Sequence, residues 1–100
     1  MVKHIVSWKV KDEALGMKKP EIVSKMKSML EALPGKIHQI KEFEVGVDFI
    51  QSERSFDICL ISAFESVQAM NEYQINESHQ EVVSFFKQVV EKGVAVDYNI

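Results

Sequence analysis

The chain predicts an α+β fold, a four-stranded antiparallel sheet of split β-α-β-β-α-β topology with its helices on one face. Three observations carry this. The first and last stretches, residues 2–10 and 94–100, have strand composition. Two apolar runs in the middle, joined by the turn residues 51–55, read as a hairpin. Apolar residues at helical spacing fall on either side of that hairpin. The 100 residues, 46% hydrophobic and 27% charged, are expected to form a single domain, residues 1–100.

The elements follow in order. Residues 2–10 carry three valines, Ile5 and Trp8, and place His4, Val6, Trp8 and Val10 on one face of a strand. Residues 11–19 read as a polar loop. Pro20 suits the first turn of a helix, where its missing N–H costs little. Ile22, Met26, Leu30 and Leu33 form the apolar stripe of that helix, and Pro34-Gly35 ends it. Residues 37–50 read as one long strand. Phe43, Val45, Val47 and Phe49 share a face, and Gly46 marks a bulge or a close approach. Residues 56–64 pair back as the second arm of the hairpin. Ser66 can cap a short helix with Val67, Met70 and Tyr73 on its inner side. A last helix is expected over about residues 79–92. Ser78-His79-Gln80-Glu81 would form its capping box and Gly93 its stop.

Residues 56–64 are apolar on both parities: Phe56, Ile58, Leu60 and Phe64 on one, Cys59, Ile61 and Ala63 on the other. Helices on one side cover only one face. The open sheet face is expected to meet a second copy, giving a homodimer; the alternative cover is a loop of the same chain.

Composition narrows the function. A net charge of −3 offers no attraction to nucleic acid or to an anionic membrane surface. No segment has the length and apolarity of a signal peptide or membrane span. Cys59 is the only cysteine and sits in an apolar run, so it reads as a buried thiol in a cytoplasmic protein. No histidine pair stands at i, i+4 and no cysteines cluster, so neither a metal nor a cofactor is expected.

The capping box would place His79 at the start of the last helix, with Val82, Val83, Phe85, Phe86, Val89 and Val90 behind it. The helix N-terminus first, and the apolar surroundings second, would hold the imidazole neutral and its pKa low, unless Glu77 or Glu81 turns toward the ring. A neutral imidazole can accept a proton, as a general base must. Tyr73 and His4 can converge on it, with Trp8, Phe85 and Phe86 as apolar walls of a small-molecule pocket. The structural alternatives are a core tyrosine, a solvated first-turn histidine and a strand histidine bonded to backbone.

These residues also carry a resemblance. "VKHIVSWKVKDE", "SFDICLISAFESVQAMNEY", His79 six residues past Tyr73, and "VAVDY" together resemble the stress-responsive dimeric α/β-barrel (Dabb) domain proteins. The likeness spans nearly the whole chain. It implies a ferredoxin-like fold, two copies of which pair their sheets into a barrel. It implies either a small stress-associated dimer with no assigned activity or a cofactor-free cyclase or lyase of the polyketide-cyclase type. In such enzymes the residue matching His79 is the base, while those matching Tyr73 and His4 bind or orient the substrate carbonyl. The family often reads Tyr-x-x-His-Pro-x-His; here Asn76 and Glu77 stand in place of the His-Pro pair. The fold also hosts monooxygenases and haem-degrading enzymes, and no spacing marks a haem ligand among His4, His38 and His79. The expected function is binding of a small organic molecule, the alternative being catalysis with His79 as base and Tyr73 as hydrogen-bond donor.

Overall fold

The computed structural model describes residues 1–100. β1 (Val2–Val10) leads through a small hairpin, β2 (Glu13–Ala14) and β3 (Met17–Lys18), into α1 (Lys19–Glu31). β4 (Glu42–Val47) and β5 (Ile58–Phe64) follow, then α2 (Val67–Ile75), α3 (Glu77–Val89) and β6 (Val90–Asn99). The main sheet is antiparallel throughout, in the order β4-β5-β1-β6. This is the ferredoxin-like α+β fold. No helix is long and apolar enough to cross a membrane.

The helices bury the face that carries Ile58, Leu60 and Phe64. Ile22, Met26, Leu30 and Leu33 are all buried beneath α1, as their spacing requires. Asp57 ties three elements together at one end of this core. Its buried carboxylate accepts the Val10 N–H at 2.7 Å and pairs with Lys19 at 3.4 Å. A buried carboxylate is tolerable only with such partners.

Several boundaries differ from those the sequence suggests, each for a physical reason. Residues 11–19 are not a plain loop. Glu13 pairs with Lys18 across a two-residue turn with positive φ at both Leu15 (53°) and Gly16 (76°), the backbone of a tight hairpin. The strand read at 37–50 holds only over Glu42–Val47. Ile37 is buried, but in a turn that continues from α1: its N–H bonds the Leu33 carbonyl at 3.0 Å. Phe49 lies past the strand end, 88% exposed. The second arm begins at Ile58 rather than residue 56.

Ser66 caps α2, its hydroxyl accepting the Ala69 N–H at 3.1 Å. Tyr73 on that helix is buried, but Val67 is exposed rather than on the inner stripe. The capping box at Ser78 does not form. α3 starts two residues earlier than expected, and Asn76 is its cap, accepting the Ser78 N–H at 2.8 Å. α3 also ends earlier, at Val89, and Gly93 lies inside β6 opposite Trp8. A Cβ there would stand 3.3 Å from the indole Cδ1, so the glycine clears space for Trp8 rather than stopping a helix.

The other face of the sheet is bare. Lys3, Ile5 and Ser7 of β1, Cys59 and Ile61 of β5, and Val94, Val96 and Tyr98 of β6 share it by register. Val94 is 47%, Val96 60% and Tyr98 46% exposed, so no loop of the chain folds under it.

Candidate functional site

Strand parity sets the site's floor. His4, Val6 and Trp8 all point from β1 toward the helices. α3 runs above them along the same strand: the Lys11 N–H at the end of β1 bonds the Val89 carbonyl at the end of α3, 2.9 Å away. Between β1 and α3 lies an open-mouthed cavity of about 310 Å³. Leu60, Val82, Val83 and Phe86 give it apolar walls, and His4, Tyr73 and His79 converge at one end.

Each polar group there has a defined state. His79 occupies the first turn of α3, two residues past Glu77. Its Nδ1 lies 3.0 Å from the Gln74 carbonyl. A carbonyl can only accept, so Nδ1 carries the hydrogen and Nε2 keeps the lone pair. That carbonyl is one of the unsatisfied groups at the end of α2, and it also accepts from the Gln80 side chain at 2.6 Å. The short α2–α3 junction therefore fixes the ring. Burial pushes the His79 pKa below its usual value, the Gln74 hydrogen bond opposes this, and His4 adds to the lowering. The direction is the expected one, but burial leads the causes rather than the helix terminus.

Tyr73 packs beside the imidazole, ring centroids 4.4 Å apart, and against Phe64 at 4.9 Å. Burial drives its hydroxyl well above the usual phenol range. It stays protonated at physiological pH and can donate a hydrogen bond into the cavity that it lines.

His4 gains a partner that composition alone did not suggest. Register sets Asp97 of β6 directly opposite it, and His4 Nδ1 hydrogen-bonds the Asp97 carboxylate. The carboxylate accepts, so this ring too is held with Nδ1–H turned away and Nε2 as its second nitrogen.

Of the expected walls, Trp8 and Phe86 line the cavity and meet edge to face, 5.0 Å between centroids. Phe85 does not line it. It points to α1, where the Lys25 ammonium sits 4.5 Å from its ring centre. Phe85 lies about 100° round the helix from Phe86, on the side toward α1 rather than the slot. No three histidine, cysteine or acidic side chains gather where they could hold a metal ion.

Fold and cavity together define a class, a ferredoxin-like α+β domain with two histidines and a tyrosine opening into an apolar slot beneath one helix. Residues 2–100 match the Stress responsive A/B Barrel Domain (Dabb) model, and the chain belongs to that family. It is similar to a dimeric protein of unknown function and ferredoxin-like fold from Bacteroides fragilis, with 30% identity over 99% of this chain and 95% of that one (TM-score 0.87). It is also similar to an Arabidopsis thaliana protein, 25% identical over 100% of this chain and 95% of the other (TM-score 0.81). A hydroxynitrile lyase from Passiflora edulis shares the fold at 21% identity, covering 99% and 92% (TM-score 0.83). No curated protein matches the chain.

Proposed function

We propose that this protein is a small homodimer that binds an organic molecule in the cavity between β1 and α3. The observation that carries the reading is the convergence of His4, Tyr73 and His79 at one end of an otherwise apolar slot. Apolar walls supply affinity by losing water, and a few fixed polar groups orient the guest. The dimer forms through the bare sheet face, where Ile61, Val94 and Val96 await cover; the dimeric Bacteroides relative supports this. A stress-associated role follows the family's description, and a cytoplasmic setting fits the single reduced cysteine. A net charge of −3 gives no overall attraction to a nucleic-acid or membrane partner.

The binding test uses 4-acetylbiphenyl, a neutral aromatic ketone. It should shift the NMR signals of the lone indole N–H at Trp8 and of the His79 ring. Val83→Phe, which fills the slot from α3, should abolish both shifts. Shifts scattered over the surface, or none, would refute the reading.

A second reading is proton-transfer catalysis, favoured by one observation: the Nδ1 contact to Gln74 leaves Nε2 of His79 as a free base beside Tyr73. Tyr73 would donate a hydrogen bond to a substrate carbonyl oxygen. Nε2 would take a proton from the carbon next to that carbonyl, leaving an enolate held by the Tyr73 hydroxyl. In heavy water the same cycle returns deuterium. The enzyme reading thus expects deuterium in the acetyl methyl of bound 4-acetylbiphenyl, and expects none with His79→Gln. Exchange unaffected by that substitution would remove His79 from the role.

A further inference from the structure

The residues lining the cavity have a charge balance different from that of the chain. Acidic residues outnumber Lys and Arg by 15 to 12 overall, yet the 13 residues lining the cavity include His4, His79 and Lys87 and no carboxylate. His4 and His79 stand at one end with Tyr73. Lys87 belongs to the last turn of α3, at the other end, beside Phe86 and Trp8. Its side chain is exposed and forms no ion pair within the chain. The eight residues from His79 to Lys87 span roughly 12 Å at the helical rise of 1.5 Å. The four from His4 to Trp8 span roughly 13 Å along the strand below. The slot is therefore apolar in the middle, polar at the Tyr73–His79 end and lined by Lys87 at the other.

Resting on the ligand-binding reading above, we infer that the occupant is an amphiphilic organic anion. Its apolar body is roughly 12 Å long. A carbonyl or hydroxyl oxygen lies at the Tyr73–His79 end, and a carboxylate-type group meets Lys87. Such a guest matches all three zones. An uncharged guest would leave the exposed Lys87 ammonium to water, and a cation would meet Lys87 with no carboxylate among the lining residues to offset it, the nearby Asp97 being engaged by His4.

The test compares 4′-acetylbiphenyl-4-carboxylate with 4-acetylbiphenyl, which has the same body and ketone but no charge. Calorimetry at low ionic strength should show the carboxylate binding about fivefold more tightly, the scale of a partly exposed ion pair. Added salt should shrink the difference. Lys87→Gln should make the two probes bind alike, and Lys87→Arg should keep the preference. A carboxylate with no advantage in the wild type, or an advantage that survives Lys87→Gln, overturns the inference while leaving the ligand-binding reading intact. If neither probe binds, both readings fall together.

Discussion

His79 stands at one end of the apolar slot beside Tyr73, and its titration is directly measurable. His79 should titrate by NMR below the ~6.5 of a free imidazole, because burial lowers its pKa. The folded state then resists protonation. At neutral pH this costs nothing. As pH falls through the unfolded-state value toward the folded one, the unfolded chain binds the proton more readily and stability drops. His79→Gln should flatten that part of the stability profile; a midpoint above that of free imidazole would contradict the buried-base account. Tyr73→Phe keeps the ring packed on Phe64 and His79 and removes only the hydroxyl. It should alter the melting temperature little and weaken ketone binding by about fivefold to tenfold, the worth of one hydrogen bond. Unchanged affinity would mean that the hydroxyl does not touch the guest. Strand parity and helical spacing put His4, Tyr73, Trp8 and Phe86 on inner faces, whereas His79 was placed through a capping box at Ser78 that does not form, though it does lie in the first turn of α3. Asp97 was not legible in the sequence, because its pairing with His4 depends on register between strands 93 residues apart, which no local pattern encodes. Phe85 shows the opposite limit: an apolar run marks a buried face but does not say which side chain faces the slot and which faces α1.

The junction between α2 and α3 places His79, and it departs from its expected form in an instructive way. Asn76 caps α3 and Glu77 takes the first helical position. The family's proline matches Glu77, and both residues suit a helix start: proline for its fixed φ, glutamate for its charge at the positive helix end. Asn76 and Glu77 thus supply a cap and a first helical residue without a His-Pro pair. Asn76→Ala should cost about 1 kcal/mol, a fall of roughly 4–8 °C in Tm for a domain of this size. Ser78→Ala, which leaves the capped N–H in place, should stay within about 0.5 kcal/mol of wild type. The reverse order of effects, read by thermal unfolding, would restore the capping box at Ser78. Elements with one strong period were readable: α1, β1, β5 and the body of α3. The 13–18 hairpin was not, since Leu15 is an unusual residue at positive φ. Nor was the start of β4, because Ile37 gains its burial inside a turn and so mimics a strand residue. The start of β6 was hidden as well: Val90 continues the apolar run of α3, and Gly93 resembles a helix stop.

At the scale of the whole molecule, apolar residues on both parities of β5 foretold a sheet with two buried faces, and the structure leaves one of them bare. The proposed cover is a second copy. Val96 is 60% exposed on that face, so Val96→Lys should leave the protomer's fold within about 0.5 kcal/mol of wild type. It should still separate the dimer, because closing the interface would bury an unpaired charge. Sedimentation at micromolar concentration reads the result, and a Val96→Lys protein that remains dimeric would place the interface elsewhere. Native mass spectrometry of the protein mixed with 4-acetylbiphenyl tests the central claim most directly, since it reads assembly and cavity together. Two chains of 11.5 kDa should appear as one dimer carrying up to two probe molecules, while the Val83→Phe dimer carries none. A monomer, or a dimer whose uptake Val83→Phe does not change, would contradict the account.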